Sequence, residues 1–163
     1  MGLRCSLIEL SKDQIDKSLA NHENVFDYLD ELEENEELGR VYLDKAWHGI
    51  HFLLTGSVWE GAEPLCYLVK GGEGIGTEDD WARLLRPNQI ADWANSLLTI
   101  SADDLRKRYD PVAMAKADIY PSIWDRVDEE YGNLEYLLDY YEALRSFLER
   151  TKKENKGAII SIT

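Results

Sequence analysis

Apolar residues recur along most of this chain at intervals of three and four, the mark of helices with one buried face, while segments near the two ends read as strands. The densest stripe lies in 43–56, L-D-K-A-W-H-G-I-H-F-L-L-T-G. There Leu43, Ala46, Trp47, Ile50, Leu53 and Leu54 share one helical face, and Thr55-Gly56 closes the element, because glycine suits the left-handed position after a helix end. The spacing predicts that 43–54 is the central helix of the core and that Trp47 is fully buried.

Residues 2–10 read as a first strand, with Leu3, Cys5 and Leu7 alternating as on a half-buried sheet. Ser11 and Gln14 form a capping box that opens a helix over 12–20, with Ile15 and Leu19 inward. A second amphipathic helix is expected within 21–40, on a spine of Val25, Phe26, Leu29 and Leu32. The run 64–70, P-L-C-Y-L-V-K, fits a short helix or a buried strand equally well. G-G-E-G-I-G at 71–76 has neither phosphate-loop spacing and reads as a flexible loop. A short strand is expected over 81–85. Pro87 then suits the first position of a helix that buries Ile90, Trp93, Ala94, Leu97 and Leu98.

Ser101 with Asp104 caps a short helix reaching Arg108, and Pro111 begins another turn of helix around Met114. The longest helix is expected over 133–153, with Leu134, Leu137, Leu138, Tyr141, Leu144 and Leu148 inside and Lys152 and Lys153 favourably placed at its negative end. The final A-I-I-S-I-T reads as a strand deep in the sheet, beside the first. Together these elements predict one α/β (α+β) domain spanning 1–163, a small mixed sheet packed with about six helices.

Charge narrows the class of partner. The 163 residues carry 32 acids against 18 Lys and Arg, a net charge of −14. Such a field repels nucleic acid and anionic lipid and speeds encounter with a basic partner. The acids are clustered: eight lie in 21–40 and seven in 125–142, each stretch with one Lys or Arg. Both read as solvated helix faces, and Glu33, Glu34, Glu36, Glu37, Asp128, Glu129 and Glu130 are the candidates for partner binding. Two cysteines, Cys5 and Cys66, are too few and too far apart for a disulfide framework or a zinc site. No apolar run reaches membrane length. The opening M-G-L-R-C-S matches a myristoylation pattern, yet its strand alternation and the acidic charge argue against an anchor. The expected compartment is the cytoplasm.

For chemistry, Asp44, His48 and His51 would share one flank of a helix over 43–54, as an acid–base pair or part of a metal site. A metal would need further ligands from another element, and no H-E-x-x-H is present. The favoured reading is structural, with histidines at the core edge bonded to backbone or carboxylate, no metal and no cofactor. Cys66 lies in an apolar stretch where a thiol is inert, and no G-x-S-x-G marks a serine nucleophile. Trp59, Trp81, Tyr109, Tyr120 and Trp124 exceed what the core strictly needs, so some of them could line a pocket or an interface.

The segments M-G, L-D-K-A-W-H-G-I-H-F-L-L-T-G, A-R-L-L-R-P, L-R-K-R-Y-D-P and I-Y-P-S-I-W, in this order over nearly the whole chain, resemble the YfbM-like family. This is a bacterial family of unknown function, and the resemblance implies a compact α/β fold and a cytoplasmic setting, with no catalytic residues to carry over. The chain departs from the family pattern at 87–89, where Pro-Asn-Gln opens a helix without acids in its first turn. Two functions are expected from the residues. The first is an acidic binding protein of the immunity type, which neutralises a basic bacterial toxin or effector domain. The alternative is a small-molecule binder or enzyme with a pocket around His51 and His48.

Overall fold

Strands β1 (Cys5–Leu10) and β5 (Gly157–Ile162) pair antiparallel over six residues, from Cys5 opposite Ile162 to Leu10 opposite Gly157, and every residue of both is buried. Burial on both faces follows from the sequence, since apolar side chains occupy both sides of the pleat. Cys5, Leu7, Ala158, Ile160 and Ile162 enter one hydrophobic cluster, while Ile8, Leu10 and Ile159 enter a second. The terminal run therefore lies beside the first strand, as its composition predicts. The half-buried strand expected from Leu3, Cys5 and Leu7 is instead covered on both sides, and Leu3 lies outside it, exposed.

The structure is a computed structural model that describes residues 2–20, 25–76, 82–126 and 132–163. Strands β2 (Arg40–Asp44), β3 (Glu73–Ile75) and β4 (Ala82–Leu85) complete a five-stranded sheet in the order β2-β1-β5-β4-β3. All four pairings are antiparallel, so the sheet expected to be mixed is antiparallel throughout its described strands. Among the described residues, seven helices surround it: α1 (Lys12–Ala20), α2 (Val25–Glu34), α3 (Trp47–Thr55), α4 (Pro87–Leu98), α5 (Ala102–Arg108), α6 (Pro111–Lys116) and α7 (Asn133–Lys153). The larger cluster lies among α3, α4 and α7, and the smaller beneath α1 and α2. Among the described residues no helix is long and apolar enough to cross a membrane.

Three helix starts follow local chemistry. Ser11 Oγ accepts from the Gln14 amide at 3.3 Å while Gln14 Oε1 accepts from the Ser11 amide at 2.8 Å, and Ser101 and Asp104 make the same reciprocal pair. At α4 the missing acid is replaced by Gln89, whose Oε1 accepts the Arg86 amide at 2.8 Å ahead of Pro87.

Several boundaries differ from the sequence expectation. Leu43 and Asp44 belong to β2, and α3 begins only at Trp47, because Val41, Tyr42 and Leu43 alternate buried, exposed, buried as a strand does. Within α3, Trp47 is 0% exposed, and Gly56 caps the helix at φ 73° with its amide on the Phe52 carbonyl. In α2 the inward face is Val25, Tyr28, Leu29 and Leu32, whereas Phe26 points to solvent. Leu98 is likewise exposed at the end of α4. Segment 64–70 is neither helix nor strand but a succession of turns, held by Arg83, which donates to the Leu68 and Gly71 carbonyls at 3.0 Å each. The glycine loop contains β3. Trp81 of the expected strand 81–85 lies outside the described residues, as do Asp128, Glu129 and Glu130.

Candidate functional site

The two histidines of α3 face inward. His48 Nε2 donates to the Val58 carbonyl at 2.8 Å, and its Nδ1 accepts the Tyr120 amide at 2.9 Å. An amide can only donate, so Nδ1 holds a lone pair and the ring is the neutral Nε2–H tautomer. Its ring stacks on Trp59 at 4.3 Å and on Trp47 at 5.0 Å, and Trp47 in turn stacks on Tyr120 at 5.6 Å. Trp124 is buried beside them and donates to the Ile119 carbonyl at 2.7 Å. His51 Nε2 lies 3.3 Å from Thr55 Oγ1. Burial lowers the pKa of both rings, and His51, further opposed by charge on His48, falls to about 4. With 1% and 0% exposure both rings are buried; His48 ties the 57–59 and 119–120 loops to α3, whereas His51 contacts Thr55 within α3 and its Nδ1 has no hydrogen-bond partner among the described residues.

Asp44 does not join them. It ends β2 in the left-handed region at φ 46°, and its carboxylate turns toward a different corner of the fold. The Tyr136 hydroxyl on α7 donates to Asp44 Oδ2 at 2.9 Å and accepts the Lys45 amide at 3.1 Å. Arg4 Nε donates to Asp44 Oδ1 at 3.0 Å. Burial, then the bond to Asp44, pushes the Tyr136 phenol well above its usual range. Tyr140 is raised by burial and by the Asp44 charge. Among the described residues, no three His, Cys, Asp or Glu side chains are arranged to hold a metal ion.

This corner opens into a cleft of about 580 Å³, lined by Arg4, Ser6, Glu33, Tyr42, Asp44 and Tyr140 among others. Cys5 also borders it, but burial pushes that thiol up to about 12, so it remains protonated. Burial likewise raises the Cys66 thiol. Sequence reasoning singled out Asp44 and Glu33 and missed Tyr42, Tyr136 and Tyr140. Tyr136 is 92 residues from Asp44, a pairing that no local pattern carries.

The third feature begins at Glu33. Helix α2 and the turn after it expose Asp27, Asp30, Glu31, Glu33, Glu34, Glu36 and Glu37, and none of these forms an ion pair within the described residues. The last turn of α2 has no base. Arg40, the nearest cation in sequence, points its guanidinium at backbone carbonyls, with Nη1 on Glu33 O at 2.6 Å and Nη2 on Asn35 O. It therefore caps the helix and leaves the carboxylates unpaired. The second acidic stretch is different where it is described. Glu135 bonds Arg106 at 2.7 Å, and Glu142 bonds Arg145 at 2.8 Å.

A family model described as Domain of unknown function (DUF1877) matches residues 1–161. A crystal structure from Escherichia coli, titled as a protein of unknown function, YfbM, is similar in fold, with a TM-score of 0.75 over 98% of this chain and 99% of that one at 22% identity. No curated protein matches the chain.

Proposed function

The chain belongs to the DUF1877 family, a YfbM-like family, and we propose that it is a cytoplasmic binding protein of the immunity type, capturing a basic toxin or effector domain on the acidic face of α2. The observation that carries this reading is the row of seven exposed carboxylates from Asp27 to Glu37, none of them in an ion pair among the described residues. Glu33 and Glu34 occupy the C-terminal turn of α2, where the helix dipole is already negative. Like charges on adjacent turns add repulsion. An arrangement that opposes the stability of its own helix is accounted for when a partner supplies the missing positive charge.

Several acids elsewhere are paired internally, Glu60 with Lys70, Glu73 with Arg86, Asp103 with Arg106 and Lys107, Glu154 with Lys156 and, on α7, Glu135 with Arg106 and Glu142 with Arg145, although isolated exposed acids such as Asp13, Asp16 and Asp92 form no ion pair among the described residues. The contrast favours α2 over α7 as the recognition surface. Asp128, Glu129 and Glu130 enter the proposal only through their contribution to the net charge. The net charge of −14 adds long-range steering toward a basic partner and away from nucleic acid and anionic membranes. The alternative, a small-molecule site around His51 and His48, draws no support from two rings without solvent access.

The test is growth rescue in bacteria that coexpress this protein with the product of the adjacent gene. Rescue by the wild-type protein, lost when Glu33, Glu34, Glu36 and Glu37 are changed to Lys, is the expected result. Absence of rescue, or rescue undiminished by that fourfold reversal in a folded variant, contradicts the proposal.

A further inference from the structure

We infer that the cleft at Asp44 is a guanidinium pocket, in which an arginine side chain of the basic partner replaces Arg4 on the Asp44 carboxylate. This rests on the reading of the partner as basic and names the residue it presents.

The pocket is set before a ligand arrives. Asp44 sits in a left-handed backbone conformation that a non-glycine residue seldom adopts, and its Oδ2 is fixed by Tyr136, whose hydroxyl is in turn held by the Lys45 amide. A carboxylate held in this way loses little freedom on binding. Its other oxygen, Oδ1, already carries a guanidinium, that of Arg4, through the single Nε contact at 3.0 Å. The Arg4 side chain is 65% exposed, whereas Asp44 is 34% exposed. The site thus accepts this group, and its present occupant makes one bond where the planar fork of an arginine can offer two parallel ones. An exposed pair of this kind exchanges at little cost.

The surroundings suit the same chemistry. Glu33, the unpaired acid at the end of α2, lines the same cleft, so the pocket is continuous with the acidic face. Tyr42 and Tyr140 line it with aromatic surface, on which a guanidinium stacks better than an ammonium does. Counting charged side chains alone, Asp44 and Glu33 against Arg4 leave the lining with one negative charge, and displacing Arg4 to solvent makes the site more acidic.

The probe is N-acetyl-arginine amide, titrated into the full chain and followed by amide chemical shifts, with the neutral isostere N-acetyl-citrulline amide as control. Expected are saturable shifts centred on Glu33, Tyr42 and Asp44 for the arginine probe only. Asp44→Asn should weaken binding about tenfold or more, because a charge-assisted pair is lost while the Tyr136 hydroxyl keeps an acceptor. Glu33→Gln, on an exposed residue whose change leaves the fold intact, should weaken it about twofold to threefold. Arg4→Ala should tighten it, by vacating the carboxylate. Equal binding of the citrulline probe, no saturable shifts at the cleft, unchanged affinity in Asp44→Asn, or weaker binding in Arg4→Ala would each overturn the inference. Failure here is separable from failure of the proposed function. A cleft that ignores arginine while rescue still depends on α2 removes only the pocket. A cleft that binds arginine while rescue ignores α2 removes only the captured partner.

Discussion

Helix α3 buries two histidines and engages both ring nitrogens of His48, while α2 and the turn after it expose seven carboxylates, none in an ion pair among the described residues. The two helices are of similar length, nine and ten residues, and each buries an apolar stripe in one of the two hydrophobic clusters. Their polar groups are treated in opposite ways. Where the chain fixes a polar group with its own backbone, the group is explained by folding, because an unpaired buried ring nitrogen would be costly. Where it leaves charges unpaired, against the helix dipole and against one another, folding offers no explanation, and the proposed binding role would account for them. His48 thus has both ring nitrogens engaged by backbone groups, whereas His51 Nδ1 is left without a partner among the described residues, and the acids, which look like ordinary surface, carry the functional proposal.

The largest expected effect breaks the α3 side. Trp47→Ala removes the ring that stacks on both His48 and Tyr120 and whose Nε1 donates to the Leu3 carbonyl at 3.0 Å. It should cost about 3–5 kcal/mol in denaturant unfolding. A midpoint unchanged from wild type would show that α3 is not the core element.

A smaller effect sharpens the contrast through pH. The pKa of His51 is depressed from 6.5 to about 4 in the folded state, so the unfolded chain binds the extra proton first. Stability is therefore full above about pH 6.5 and declines as pH falls toward 4. Carboxylates with depressed values, such as Asp104, add their own loss in acid. The difference between wild type and His51→Gln isolates the ring: the variant, although less stable at neutral pH, should show a shallower slope between pH 6.5 and 4. Parallel pH profiles would mean that His51 is not held neutral.

How far these regions could be read from sequence depends on whether the deciding contact is local. The caps at Ser11 and Ser101, the glycine stop at Gly56 and the burial of Trp47 are set within a few residues, and all were legible. The start of α3 was not, because Leu43 satisfies a helical spacing and a strand alternation equally until the pairing of β2 with β1 selects one. Phe26 was assigned inward on hydrophobicity, although Tyr28 fits the i, i+3, i+4, i+7 stripe from Val25 and buries its ring, with its hydroxyl 2.8 Å from Ser18. Asp44 was singled out as a neighbour of the histidines, and the structure places it elsewhere. Its partners, Arg4 and Tyr136, come from the first strand's approach and the last helix, and only the tertiary fold joins them.

The smallest expected effect lies on the α2 side and has the unusual sign. Glu33→Gln with Glu34→Gln relieves repulsion and the dipole conflict in the last turn, so the melting temperature should rise by about 1–4 °C. Glu135→Gln on α7, which breaks the pair with Arg106, should leave it unchanged or slightly lower. A lower melting temperature in the α2 variant would remove the claim that its acids are held against stability.

The central claim is tested most directly by the association rate of the partner identified by rescue, measured as salt rises from about 0.05 to 0.5 M, where the Debye length shrinks to a few ångströms. Wild type should slow steeply over that range. Changing Glu33, Glu34, Glu36 and Glu37 to Lys should lower the rate at low salt about tenfold or more and flatten the salt dependence. Reversing Glu135 and Glu142 on α7 should leave both close to wild type. A salt dependence that survives the α2 reversal, or that is lost equally in the α7 variant, contradicts the account.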